Sequence, residues 1–442
     1  MPESEPAPLK PVLIIGAGIS GLLLAQHLRT AHIPFRLFDR DADFTTRGVG
    51  WGLTLHWSLP ALRDLLPEPL VRRIPSTYVD RRAVEAGDAT TFPLHDLSTG
   101  ALVAATPRAT EATRIRVTRE KLRRLLAEDI DVEWGKAFSW LRETPEGEVT
   151  ALFEDGTESV GSLIVACDGG HSRVRRALFP DRHENFRVPV RVVGFRARYT
   201  PEAMAPIKQL DPFFLQATSS KNDTYMYFSV LNAPGNDSHG TDAASPASHT
   251  GDREASAAAP AGEYACQVVI SWPYRDSFGW GGQPGPLDFP STPEGTIDLI
   301  KSFAETWAEP FKSIAQGVSE SSEVKQLELT DYVPAEGLRT SGRAVLMGDA
   351  FHAMTMYRGE GANHAIVDVL EFAQKVTPRL VAGGDGLREA LDDYEDGVVK
   401  RSRPAVLAAR RACLDAHDWP RVNPQSPLLS RREMFMKYEE GA

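Results

Sequence analysis

The chain is 442 residues long, beyond the size at which one hydrophobic core keeps growing, so two or more folding units are expected. A net charge of −11 argues against nucleic acid or an anionic membrane surface as the main partner. With 42% hydrophobic and 25% charged residues, the composition is that of a globular protein.

Three cysteines, Cys167, Cys266 and Cys413, are odd in number and widely spaced. They build neither a disulfide framework nor a zinc site, so a reducing, cytoplasmic setting is expected. Residues 1–10 are acidic and proline-rich, without the basic and apolar segments of a signal peptide. No apolar run reaches the roughly 18 residues of a transmembrane helix.

Residues 12–15 (VLII) form an apolar run that breaks into Gly16-Ala17-Gly18-Ile19-Ser20-Gly21. A helical stretch follows over 22–28, and Phe35-Arg36-Leu37-Phe38-Asp39 reads as a second strand ending in an acid. Strand, G-x-G-x-x-G, helix, strand and acid in this order form a dinucleotide-binding fingerprint. Gly16 permits the tight turn, Gly18 lets a pyrophosphate approach the backbone, and Gly21 lets helix and strand pack closely. The helix start, with Ser20 in its first turn, offers unpaired N–H groups to phosphate. Asp39 is placed to accept from a ribose, with Arg40 beside it. The motif alone leaves NAD and FAD both open.

Residues 43–56 (DFTTRGVGWGLTLH) carry three glycines and no periodicity, as in a loop that leans on a ligand. Arg47 within it suits a phosphate, a substrate or bulk solvent. A short helix is expected over 59–66, stopped by Pro67. A second is expected over 118–127, with Thr118 as N-cap and Leu122, Leu125 and Leu126 on one face. Arg119 stands in its first turn, where a cation opposes the dipole. Either an anionic partner or simple exposure accounts for it.

Residues 162–168 (SLIVACD) form a buried strand, leaving Asp168 at its carboxyl end beside Gly169-Gly170, where open α/β sheets place ligands. Strands over 187–199, 211–217, 224–231 and 264–274 suggest an antiparallel sheet. Residues 232–262, rich in Ala, Ser, Gly, Asp and Pro, read as a mobile surface insertion. Residues 296–314 are mostly helical, and 343–347 return to a buried strand ending in Gly348-Asp349. Residues 357–363 (YRGEGAN) form a loop opening a helix over 364–376. A long helix over 387–415 contains Pro404, which should kink it.

Three apolar strands therefore end in glycine and acid. In this order and spacing, from about residue 11 to 419, the sequence resembles the class A FAD-dependent monooxygenases, the aromatic hydroxylase family. The glycine fingerprint, Cys167-Asp168-Gly169-Gly170-His171-Ser172-Arg173-Val174-Arg175 and Gly348-Asp349-Ala350-Phe351-His352 carry the likeness. RGVGWGLTLHWSLPALRDLLP and RGEGANHAI place it nearest the fungal secondary-metabolism branch.

The resemblance implies an α/β fold: a Rossmann-like FAD-binding domain with a parallel sheet, an antiparallel-sheet substrate domain and C-terminal helices. The expected bounds are 1–75, 105–185 and 325–385 for the first, 76–104 and 186–324 for the second, and 386–442 for the helices. Asp39 would bind the adenosine ribose and Arg119 the pyrophosphate or ribityl region. Asp349 would meet the ribityl chain or diphosphate, and Asp168 both FAD and the passing nicotinamide. Gly359, Gly361, Ala362 and Asn363 would present backbone N–H groups to the flavin's pyrimidine edge. NAD(P)H would dock transiently, which suits the absence of a second G-x-G-x-x-G.

The implied activity is hydroxylation or epoxidation of a mainly apolar small-molecule natural product, through a flavin C4a-hydroperoxide formed with dioxygen. Water must be excluded for this chemistry. On the strand over 192–199, alternation puts Gly194, Arg196 and Arg198 on one face. Arg196 is the candidate catalytic donor, unless that face points outward. Ala353 and Met356 stand where relatives of this branch tend to carry proline, which implies a looser loop or a reshaped pocket. The alternatives are a flavin oxidoreductase of this fold that inserts no oxygen, and a FAD-fold binding protein without turnover.

Overall fold

A computed structural model describes residues 10–46, 50–144, 147–236, 262–282, 285–319 and 322–439. Arg47 and most of the expected insertion, 237–261, lie outside the described residues.

The most apolar short runs of the sequence become the central sheet. Val12–Ile15, Leu163–Ala166 and Ala344–Leu346 are buried at every position, as strands covered on both faces must be. With Phe35–Phe38 and Val132–Glu133 they form five parallel strands, in the order 344–346, 163–166, 12–15, 35–38, 132–133. The register pairs Ile15 with both Ala166 and Phe38, and Ala166 with Leu346. The residue after each strand therefore emerges at one sheet edge. Gly16, Asp39, Cys167-Asp168 and Met347-Gly348-Asp349 meet there, although they are more than 300 residues apart in sequence.

A second sheet has seven strands, ordered 325–327, 190–199, 264–273, 225–232, 214–218, 94–96, 102–104. All its pairs are antiparallel except Phe214–Thr218 with Leu94–Asp96. One face packs on helices Pro293–Ala304 and Phe311–Gln316 through Val193, Phe195, Val268, Ile270, Phe303 and Phe311. The helix expected over 296–314 is thus two helices, divided before Pro310, which caps the second. The opposite face carries Tyr225, Tyr227, Ser229 and Gln267, which alternation turns toward the parallel sheet.

Two local expectations change. Thr118 precedes the helix Arg119–Leu126, but its hydroxyl donates to the Leu231 carbonyl at 2.6 Å rather than capping the helix. The helix after the YRGEGAN segment starts at Gly361, three residues earlier than expected, so Gly361, Ala362 and Asn363 form its first turn. Leu387–Asp415 is one helix running through Pro404. No helix among the described residues is long and apolar enough to cross a membrane.

Candidate active site

The convergent sheet edge opens into a cavity of about 510 Å³ that continues beneath the antiparallel sheet. Its first part is built from the glycine loop. Gly16 has φ +110°, and a Cβ there would lie 2.3 Å from the Cys167 carbonyl oxygen. At Gly21 a Cβ would lie 1.9 Å from the Gly16 carbonyl oxygen, so close helix–strand packing excludes a side chain. Gly18 faces open space, with its nearest neighbour 4.0 Å away. Gly16 and Gly21 are thus required by the fold, whereas nothing in the chain crowds Gly18.

Asp39 holds this loop. Its Oδ2 accepts from the Ala17 N–H at 2.7 Å and its Oδ1 from Asp41 at 2.9 Å. Arg123, which the sequence did not single out, donates from Nε and Nη2 to the Ala17 carbonyl at 3.1 and 2.9 Å. Gly16, Gly18, Ser20, Asp39, Arg40 and Arg119 line the cavity. Gly21 acts behind it.

The other two strand ends are tied to each other. Arg175 is buried and donates to the carbonyls of Gly170 at 2.7 Å and Ala350 at 2.9 Å. Asp168 accepts from the N–H groups of Arg173 and Val174 through Oδ2. Its Oδ1 is buried without a hydrogen-bond partner among the described residues, and burial raises its pKa. Gly348 has φ +61° and donates its N–H to Asp368 at 2.8 Å. Asp368 also accepts from His352 at 2.7 Å and Arg401 at 2.5 Å, all three side chains being buried. Asp349 faces the cavity; burial raises its pKa, opposed by the charges of His352 and Arg119. Arg119 and Asp349 thus face the same cavity.

Gly359, Gly361 and Ala362 line the cavity, and Asn363 does not. The Asn363 amide instead accepts from His56 N at 3.0 Å and Ser58 Oγ at 2.8 Å and donates to the Thr54 carbonyl at 3.0 Å. It clamps the strand Gly52–Leu55 to the helix start. The preceding loop, without the two prolines, is anchored by Thr355 Oγ1 on the Ala409 carbonyl at 2.7 Å and by the Ala353 carbonyl on Tyr332 N at 2.9 Å.

Together these groups suit an anionic dinucleotide with a flat ring: open backbone at Gly18, a 12-residue helix pointing its N-terminus at the cavity, a ribose acceptor, basic side chains, and an orphaned Asp168 oxygen. The sequence profile of the FAD binding domain family matches residues 10–245 and 302–409. A protein named "Probable FAD-dependent monooxygenase" from Arthroderma benhamiae is 40% identical over 438 residues, 96% of each chain. The FAD-dependent monooxygenase dbaB of Emericella nidulans is 33% identical, over 92% of this chain and 96% of its own. The chain belongs to the class A FAD-dependent monooxygenases, in their fungal secondary-metabolism branch. The monooxygenase also shares its fold with 2,6-dihydroxypyridine-3-hydroxylase from Arthrobacter nicotinovorans, with a TM-score of 0.70 at 17% identity, covering 98% and 99% of the two chains. A Klebsiella pneumoniae HpxO complexed with FAD and uric acid gives 0.66 at 18%, covering 93% and 90%.

Arg196, the candidate donor, stands apart from the cavity. It shares the face of Gly194, whose Cβ position lies 3.2 Å from the Trp51 ring, and it pairs with Gln267. Its side chain is nevertheless exposed and forms no part of the cavity wall. The wall beneath the antiparallel sheet comes instead from Phe92, Arg116, Phe214, Tyr225, Tyr227 and Gln267. Of these, Arg116 left a trace in the sequence: a charge set between the apolar Ile115 and Val117 of a buried strand.

Proposed function

We propose that this monooxygenase uses NAD(P)H and dioxygen to hydroxylate or epoxidise a mainly apolar, aromatic small molecule, a natural product, in a cytoplasmic setting. One observation carries the reading: the cavity is continuous from the glycine loop to the aromatic wall below the antiparallel sheet. A cofactor and a second flat molecule can therefore lie end to end in it.

When bound, FAD supplies the redox chemistry, accepting hydride and activating dioxygen. The chain's own residues bind, orient and shield. Asp39 accepts from the ribose, and the helix start at Ile19–Ser20 with Arg119 meets the phosphates. Asp349 meets the ribityl hydroxyls, and the Gly361 and Ala362 N–H groups stand at a helix N-terminus, where they favour negative charge on the ring. Asp168 stays at hand for the passing nicotinamide. Trp51 and Met356, both partly exposed at the cavity, can cover the ring and exclude water.

The test is turnover under labelled dioxygen. FAD-reconstituted protein should consume NADPH faster with a true substrate, and one labelled oxygen atom should enter the product. Unlabelled product formed at the same rate would favour the second reading, an oxidoreductase of this fold that inserts no oxygen.

A further inference from the structure

The turn at Gly359, which leads into the helix Gly361–Lys375, is bracketed by an ion pair. Gly359 has φ +67°, a left-handed value that glycine takes readily, and the side chains of Arg358 and Glu360 on either side of it are both buried. Arg358 Nε donates to Glu360 Oε2 at 2.7 Å, with neither side chain more than 1% exposed. Both residues line the cavity beside Gly361 and Ala362.

A carboxylate at a helix start is favoured by the helix dipole, and a capping side chain takes up N–H groups of the first turn. Glu360 stands at the N-cap position, yet no side chain caps this helix. Its oxygens are engaged elsewhere, Oε2 by Arg358 and Oε1 by the Trp57 indole N–H at 3.4 Å. The ion pair therefore keeps the acid off the helix start and leaves that start open to the cavity.

The pair is held from a distant part of the chain. Arg358 Nη1 donates to the Pro427 carbonyl and, at 2.7 Å, to Ser430 Oγ, and Nη2 donates to the Arg431 carbonyl at 3.1 Å. Arg432, also on the cavity wall, returns a hydrogen bond from Nε to the Arg358 carbonyl at 3.4 Å. All three guanidinium nitrogens are thus engaged. Because the planar fork presents its donors at fixed angles, the C-terminal segment sets where this charge sits. That segment is itself anchored: Ser426 Oγ donates to Asp415 Oδ2 at 2.6 Å, and Leu428 is buried in one cluster with Tyr225 and Tyr357.

We propose that Arg358 is a positioning residue that poises the reduction potential of the bound flavin, acting through Glu360. This rests on the placement of the ring at the Gly361–Ala362 helix start given above. Uptake of two electrons and one proton leaves one negative charge on the ring, so fixed charges beside it act mainly on the reduced form. Arg358 favours that form and Glu360 opposes it. Without Arg358 the acid is uncompensated and can turn onto the helix start, which opposes reduction further.

The test is the reduction potential of FAD-loaded protein, measured at about pH 7 against a reference dye, with flavin content fixed from the visible spectrum. An unbalanced unit charge acting over about 10 Å at an effective dielectric of about 20 moves such an equilibrium roughly tenfold, about 30 mV for two electrons. Arg358→Gln should make the reduced form harder to reach by about that factor, and Glu360→Gln should make it easier by about as much. The double variant should lie between them, within about threefold of wild type, and so should Arg358→Lys, which keeps the charge. Should Arg358→Gln not fold, the double variant compared with Glu360→Gln gives the effect of Arg358 alone. A merely structural role would move both single variants in the same direction. Shifts of one sign in both, or no shift in Glu360→Gln, would overturn the proposal. Protein that takes up no flavin would overturn the monooxygenase reading and the proposal with it, whereas loaded protein with an unmoved potential overturns the proposal alone.

Discussion

The Ala17 N–H donates to Asp39 Oδ2 at 2.7 Å, so the acid ending the second strand also fixes the glycine loop that ends the first. One carboxylate thereby shapes the glycine loop and, in the proposed complex, would also accept from the ribose. Asp39→Asn retains the shape but turns one acceptor into a donor facing an N–H. A buried charge-assisted hydrogen bond contributes about 1.5–3 kcal/mol, so FAD should bind at least about tenfold more weakly. Titration of apoprotein with FAD, read by quenching of flavin fluorescence, checks this; unchanged affinity would show that Asp39 does not hold the cofactor.

The two glycines that flank Ile19 and Ser20 should fail differently. Gly21→Ala drives a Cβ to within 1.9 Å of the Gly16 carbonyl, a backbone atom that cannot yield without moving the strand. Apoprotein of this variant should lose several kcal/mol of stability or fail to fold. Gly18→Ala meets nothing closer than 4.0 Å. Its apoprotein should melt within a degree or two of wild type yet bind FAD poorly, because the methyl group occupies the phosphate's approach. Thermal melts of both apoproteins, paired with FAD titrations, test the distinction.

Three buried histidines should make the protein acid-sensitive. Burial, with neighbouring arginine charges, pushes His56 down to about 3; burial pushes His417 down to about 4 and His364 well below its usual value. For His417 the hydrogen bonds agree: Ser271 Oγ lies 2.8 Å from Nε2 and Nδ1 lies 2.7 Å from the Cys413 carbonyl, which fits a neutral ring protonated at Nδ1. Since these folded-state values lie below the unfolded value of about 6.5, the unfolded chain binds more protons in the interval between. Stability is therefore full above about pH 6.5 and falls as the pH drops toward 4, each group costing up to about 1.4 kcal/mol per pH unit. Urea midpoints from pH 7.5 to 4.5 should fall accordingly, and His417→Gln should flatten the slope. An equal slope in that variant would show that His417 titrates normally.

The convergence of the three strand ends on one cavity was legible because its parts are local. Each strand–glycine–acid run is a contiguous pattern with its own physics, and parallel register then aligns their ends without further information. The substrate half is different. Arg116, Phe92, Tyr227 and Arg432 meet only through the order of a seven-stranded sheet and the path of the C-terminal segment, neither of which has a period to read. Thr118 shows the same limit on a smaller scale. Its position is that of an N-cap, but Leu231, brought alongside by the second sheet, offers a carbonyl that takes the hydroxyl instead. Alternation gave Arg196 the correct face but could not say where along the strand the cavity stops.

Arg196→Ala should accordingly be silent. The side chain is exposed and outside the cavity wall, and surface substitutions of this kind stay within about 0.5 kcal/mol. FAD affinity and NADPH consumption should remain within about twofold of wild type. A large fall in substrate-stimulated consumption would restore Arg196 as a functional group.

The turn at Gly348-Asp349 depends on charges buried behind it. Asp368 accepts from the Gly348 N–H, His352 and Arg401 together. Burial alone would raise its pKa, but His352 and Arg401 outweigh that and hold it below the usual value. Asp368→Asn removes the charge that balances Arg401, which is 0% exposed and keeps only Glu371, at 3.1 Å, as an acidic partner. Breaking a buried pair from one side costs about 3–5 kcal/mol, so the variant should melt several degrees lower and hold less flavin, since Asp349 is positioned by the same turn. Adding Arg401→Met should cost less than the sum of the two single variants, because the uncompensated cation is then gone. Strict additivity in that cycle, measured by urea unfolding of apoprotein, would show that Asp368 and Arg401 act independently and that the turn is held by the backbone alone.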